Sequence, residues 1–126
     1  MSDSLDHLHA AVLAARSADP AISRTARLLR AGRSKMAKKL AEEAIEVVID
    51  AMHGETEAVI RESADLMYNL VVLWVSSGVH PKDVWAEMER RERLFGIAEK
   101  LKKGIPDVPS RRKVVTLESR RLRKRR

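Results

Sequence analysis

A chain of 126 residues fits one domain, and 44% hydrophobic with 34% charged residues marks it as globular rather than disordered. With no cysteine it can build neither a disulfide framework nor a thiolate metal site. The net charge of +7 is unevenly held: nine Lys/Arg against Glu118 give residues 110–126 a charge of +8, which leaves −1 for residues 1–109.

Taken in chain order, Met1 to His9 is acidic and polar with no apolar h-region, which argues against a secretory signal. Leu5, Leu8 and Val12 recur at helical spacing and predict a first helix that stops before Asp19-Pro20. A short helix from about Ser23 carries Ala26, Leu28 and Leu29 and ends at Gly32. Ser34 is expected to cap the next helix, which runs through Met36, Leu40, Ala44, Val47, Val48 and Ala51 to His53-Gly54. Another starts near Glu55-Thr56 and continues through Val59, Ile60, Leu66, Leu70 and Leu73 to Ser77-Gly78. Pro81 suits the first turn of a last helix carrying Val84, Trp85, Met88 and Leu94. Residues 102–109 break that helix, and a basic run follows in which Val114-Val115 is the one short stretch with strand character.

Nothing alternates with period two for long enough to make a sheet, so the expected fold is all-α. The densest apolar run, Leu70 to Val75, is far shorter than the roughly 20 residues a membrane span needs, so no membrane partner is expected. The helix from Ile60 to Ser77 is nonetheless apolar around most of its circumference, and a small bundle has too few neighbours to cover it. A helical bundle completed by homodimerisation is the expectation.

Acidic residues stand inside these apolar helices. Glu42, Glu46 and Asp50 are spaced i, i+4, i+8, with Glu43 adjacent, and Glu62, Asp65 and Asn69 make a second stripe at i, i+3, i+7. A short turn joins the two helices, so antiparallel packing can face the stripes toward each other. Like charges so placed repel, and Lys38 and Lys39 cannot serve the whole set. A divalent cation answers it, and donors that are all oxygen, with no His or Cys, point to Mg²⁺ or Mn²⁺. Spacing alone equally describes a solvated acidic face. The pairing of two acidic motifs on successive apolar helices favours the metal.

The run Lys38-Lys39-Leu40-Ala41-Glu42-Glu43-Ala44-Ile45-Glu46-Val47-Val48-Ile49, followed by Glu62-Ser63-Ala64-Asp65-Leu66-Met67-Tyr68-Asn69-Leu70, resembles the phosphoribosyl-ATP pyrophosphatases. These belong to the all-α (MazG-type) nucleotide pyrophosphatases, whose signature is E-E-x-x-E followed at a distance by E-x-x-D; here fifteen residues separate Glu46 from Glu62. Ser23 to Leu29 with Gly32, and Glu89-Arg90-Arg91 with Gly96 to Lys100, look like the family's terminal motifs. The resemblance implies an all-α pyrophosphatase domain over residues 1–103, and the basic composition beyond it predicts a flexible tail over 104–126. It also implies a cytoplasmic enzyme of histidine biosynthesis that hydrolyses phosphoribosyl-ATP to phosphoribosyl-AMP and pyrophosphate. Glu42, Glu43, Glu46, Glu62 and Asp65 would hold Mg²⁺, with Glu43 or Glu46 as base. Arg33, Lys35, Lys38, Lys39 and Asn69 are candidates for contact with the nucleotide.

The family's usual Gly, His, Tyr and Ser are replaced here by Ala41, Asn69, Arg24 and Phe95. The acidic core is intact while positions suited to reading the substrate differ, which keeps another (deoxy)nucleoside triphosphate open as substrate. A different class of reading rests on the tail. Arg111, Arg112, Lys113, Arg120, Arg121, Arg123, Lys124, Arg125 and Arg126 could bind nucleic acid or an acidic partner, although no aromatic lies among them for base stacking. A helical dimer with no activity is a third. His7, His9, His53 and His80 show no ligand spacing and read as surface residues, and Trp74 and Trp85 read as core or dimer interface. No glycine pattern makes a P-loop, and no Ser/His/Asp or Cys/His set is present.

Overall fold

The computed structural model describes residues 4–95. The C-terminal basic tail and Val114-Val115 lie outside them. Five helices follow in order, α1 (Ser4–Ala15), α2 (Arg24–Ala31), α3 (Arg33–Met52), α4 (Thr56–Ser77) and α5 (Pro81–Leu94), and no strand occurs among the described residues. None of these helices is long and apolar enough to cross a membrane. The chain divides into two units, Met1–Trp85 and Ala86–Arg126.

Local chemistry sets the helix ends. Asp19 Oδ1 accepts from the Ala21 N–H at 2.9 Å and turns the chain after α1. Ser23 Oγ then accepts from the Ala26 N–H at 3.0 Å, the N-cap expected for α2. The expected Ser34 cap is not formed. Gly32, at φ +102°, both caps the C-terminus of α2 and stands immediately before α3, so Ser34 already lies inside the first turn. α4 ends at Gly78 in the left-handed conformation, and the Val79 N–H bonds the Trp74 carbonyl at 2.9 Å, closing its last turn. At the start of α5, Asp83 Oδ2 reaches back to the His80 N–H at 2.9 Å, while His80 Nδ1 accepts from the Lys82 N–H at 3.2 Å.

Within the first unit, α3 and α4 form the most extensive helix pair, and α1 packs chiefly on α4. They run antiparallel: Arg33, at the start of α3, donates to Ser76, near the end of α4, through Nε to Oγ at 3.3 Å. Val12, Met36, Val71, Val72 and Val75 make the buried core, with Leu5, Leu8, Leu28, Leu29 and Trp74 packed around it. The apolar length of α4 is thus covered only in part, since Ile60 and Met67 stay exposed. On α3, Ile45, Val48, Ile49 and Met52 form an exposed stripe at i, i+3, i+4, i+7.

One histidine differs from expectation. His9 is buried, with its ring centroid 4.4 Å from that of His80, because α1 turns it onto the segment leading into α5. His7, His53 and His80 are exposed, and His53 ends α3. In the second unit, residues 86–95 hold Glu87 between Arg90 and Arg91, with Arg90 NH2 and Arg91 Nε each 2.9 Å from Oε2. The two guanidiniums lower the Glu87 carboxyl to about 2.

Candidate active site

The antiparallel register brings the two acidic motifs level. Ligand oxygens of Glu43 on α3 and of Glu62 and Asp65 on α4 lie within 4.8 Å of one another. Glu46 joins this group through Glu62, to which its carboxyl hydrogen-bonds. That hydrogen bond, and then the charge of Glu62, raises the Glu46 carboxyl above its ordinary value. Glu62 is raised as well, first by its hydrogen bond to Glu43 and then by desolvation. Carboxylates packed this closely favour holding a proton between them when no cation is present. Glu42 is exposed and stands outside the trio; it acts on the group only through its charge at Glu46.

Glu43 Oε1 is buried and accepts no hydrogen bond from any described residue. A buried carboxylate oxygen without a donor is costly, and a cation between Glu43, Glu62 and Asp65 would satisfy it. The donor set is oxygen throughout, which suits a hard divalent ion. The residues present therefore fit a metal site of the kind expected.

Beside the carboxylates a cavity of about 450 Å³ opens between α2, α3 and α4. Lys35, Lys39 and Glu43 line it from one face of α3 at i, i+4, i+8, and Asp65, Tyr68 and Asn69 line it from α4. The α2 wall comes from Arg24, Arg27, Leu28 and Ala31. Acid at one place and four cations elsewhere is the lining that a metal-bound polyphosphate requires.

Of the residues expected to meet the nucleotide, Lys35, Lys39 and Asn69 line this cavity. Lys38 is exposed on the neighbouring face of α3 and is absent from the lining. Arg33 is absent from it too, being engaged with Ser76. Arg24, one of the positions suited to reading the substrate, lines the cavity as well, whereas Arg27 and Tyr68 were not anticipated as lining groups. Their signal was available in part, because Arg24, Arg27, Leu28 and Ala31 share one face of α2 at i, i+3, i+4, i+7. Tyr68 OH lies 2.7 Å from Thr25 Oγ1 and ties α4 to α2 at the cavity.

Known proteins resemble this chain over the same elements. The family model for phosphoribosyl-ATP pyrophosphohydrolase matches residues 5–92. A Bradyrhizobium diazoefficiens protein named phosphoribosyl-ATP pyrophosphatase 2 is 65% identical over 133 residues, covering 99% of each chain. A Rhodopseudomonas palustris protein of the same name is 67% identical over 131 residues, covering all of both. The phosphoribosyl-ATP pyrophosphatase of Gluconobacter oxydans is 49% identical over 96 residues, which span 76% of this chain and 72% of its own.

Proposed function

This chain belongs to the phosphoribosyl-ATP pyrophosphohydrolase family, and from that premise we propose that it hydrolyses phosphoribosyl-ATP to phosphoribosyl-AMP and pyrophosphate with the help of Mg²⁺. The observation that carries the reading is the meeting of Glu43, Glu62 and Asp65 beside a cation-lined cavity.

The division of labour follows from where each group stands. Glu43, Glu62 and Asp65 would hold the metal, with Glu46 beside them through Glu62. When bound, the ion supplies positive charge against the triphosphate and lowers the pKa of water. Arg24, Arg27, Lys35 and Lys39 place further positive charge in the same cavity, where phosphate oxygens gain charge in the transition state. Glu46 is outside the trio yet adjacent to it, which leaves its carboxylate available to hold the attacking water and take its proton. The water oxygen bonds to phosphorus, the α–β anhydride bond breaks, and its electron pair leaves with pyrophosphate.

We also assign the exposed α3 stripe, Ile45, Val48, Ile49 and Met52, to a second copy of this chain. Ile60 and Met67 of the hairpin partner α4 likewise leave large apolar groups in water, and self-association is the simplest cover for such surface. A biosynthetic role of this kind supports a cytoplasmic location.

The deciding assay is pyrophosphate release by the full chain with Mg²⁺, from phosphoribosyl-ATP and from a panel of canonical and modified (deoxy)nucleoside triphosphates. Turnover of phosphoribosyl-ATP, lost in Glu43→Gln and in Glu46→Ala, is the expected result. Preferential turnover of another triphosphate would reassign the substrate while keeping the chemistry.

A further inference from the structure

Asn69 carries an unfinished set of hydrogen bonds at the wall of the cavity. The residue is 4% exposed, and its Nδ2 donates to the Asp65 carbonyl at 2.9 Å, which fixes the orientation of the amide. Its Oδ1 is buried and accepts from no described residue. A buried acceptor left alone costs free energy, so the position implies a donor brought by whatever enters.

The identity of that donor is constrained by chemistry. Ionised phosphate oxygens only accept hydrogen bonds and cannot serve an acceptor. The register of α3 against α4 sets Glu43 opposite Glu62 and Asp65, and Asn69 lies one helical turn, about 6 Å, beyond Asp65 and away from Glu62. This is the direction of Lys39 rather than of the carboxylates, since Arg33 of the same helix meets Ser76. Asn69 is thus offset from the metal-holding group, on the Lys39 side of the cavity, where a nucleotide can extend past the phosphates that the metal holds.

We propose that Asn69 is the specificity-determining residue of this site, and that its Oδ1 accepts a hydrogen bond from a neutral donor on the nucleoside, either a sugar hydroxyl or the exocyclic nitrogen of the base. The inference rests on the phosphoribosyl-ATP reading above and adds to it the group that reads the nucleoside. The four cations recognise phosphate in any nucleotide, whereas an acceptor at this place rewards only a ligand that carries a donor there.

The test compares kcat/KM of the wild type, Asn69→Leu and Asn69→Asp on three compounds with Mg²⁺: phosphoribosyl-ATP, its 2′-deoxy counterpart, and its counterpart with carbonyl oxygen in place of the exocyclic nitrogen. The wild type is expected to prefer phosphoribosyl-ATP by about 10- to 100-fold over the counterpart that lacks the donor. Whichever counterpart that is identifies the donor as sugar or base. Asn69→Leu should erase the preference, mainly through KM, and leave Mn²⁺ affinity unchanged. Asn69→Asp loses the same bond to the Asp65 carbonyl but keeps an acceptor, so it should retain the preference even if Asn69→Leu does not fold. An equal loss on all three compounds in Asn69→Leu, no loss on any, weakened Mn²⁺ binding, or a preference lost in Asn69→Asp would each overturn the assignment. If the wild type turns over none of the three, the substrate reading itself has failed.

Discussion

The hydroxyls of Tyr68 and Thr25 meet at 2.7 Å, across 43 residues of sequence, and join α4 to α2. Both helices wall the cavity, so this contact sets the distance between the carboxylates of α4 and the cations of α2. Tyr68→Phe removes one partner and leaves the Thr25 hydroxyl alone in a half-buried place. A loss of about 1 kcal/mol in stability is expected, read as a lower midpoint in urea with unchanged slope. KM should rise several-fold while metal affinity holds, because α2 carries no candidate ligand. An unchanged KM would show that α2 is held in place without this bond.

The metal prediction separates two neighbours on one helix. Glu43→Gln preserves volume and removes a ligand of the acidic trio, whereas Glu42→Gln changes an exposed group outside it. A bound ion stabilises the folded state by mass action, about 2.7 kcal/mol at a hundredfold excess over Kd. Wild type and Glu42→Gln should both show a Mg²⁺-dependent rise in Tm, and Glu43→Gln should lose it. Its kcat/KM should fall by more than the roughly 10- to 100-fold that outer partners of metal ligands typically cost. A Glu42→Gln variant as impaired as Glu43→Gln would mean that Glu42 also binds the ion.

The same residues show what could be read in the chain before its fold was known. Gly32, Gly54, Gly78 and Pro81 mark every break between α2 and α5, because glycine at positive φ and proline at a first helical position are local effects. The acidic motifs were legible for a related reason: two stripes on helices joined by a short turn have few ways to pack. Arg24 and Arg27 were harder to place, since their role depends on how α2 is rotated by the Gly32 turn and pinned by Thr25 to Tyr68. The burial of His9 against His80 was out of reach of pattern reading, because 71 positions separate two residues whose meeting depends on the path of α4. Ser34 misled for the opposite reason. A good capping residue stood near the right place, but two helices sharing a single glycine left it no capping position.

Crowded carboxylates also predict a pH dependence whose sign depends on metal. Glu46 and Glu62 hold protons more tightly in the folded chain than at the ordinary value of 4.5. Between 4.5 and their raised values the folded state therefore binds more protons than the unfolded one. Their contribution to stability is present below that window and is lost as pH rises through it. Without metal, the difference in Tm between wild type and Glu62→Gln should move against the wild type as pH rises from 4.5. Saturating Mg²⁺ should reverse this, since the ion needs the ionised carboxylates. A difference that stays flat without metal would show that these groups are too far apart to interact in solution.

Glu87 makes the opposite case within α5. Arg90 and Arg91 hold its carboxyl at about 2, so its contribution is present above 4.5 and is lost as pH falls toward 2. The pairs are solvent-exposed, so the effect should be small and should fade in high salt. Glu87→Gln should lower helix content slightly at pH 7 and low salt, with no effect at pH 2. An equal loss at both pH values would assign the change to packing rather than to charge.

The exposed stripe on α3 gives the last prediction. Met52 is 79% exposed, Val48 59%, Ile45 58% and Ile49 48%, and four large apolar groups at i, i+3, i+4, i+7 make one continuous face. None belongs to the buried core, so replacing one with a charge removes little that holds a single copy together. Val48→Glu, placed at the middle of the stripe, should therefore leave the helical circular dichroism unchanged while shifting sedimentation from dimer to monomer. Glu46 lies on the same helix beside Ile45 and Ile49, so exposing this face to water should also reduce turnover, with Mn²⁺ binding largely kept. A wild type that sediments as a monomer at all concentrations would remove the second copy from the account of this face.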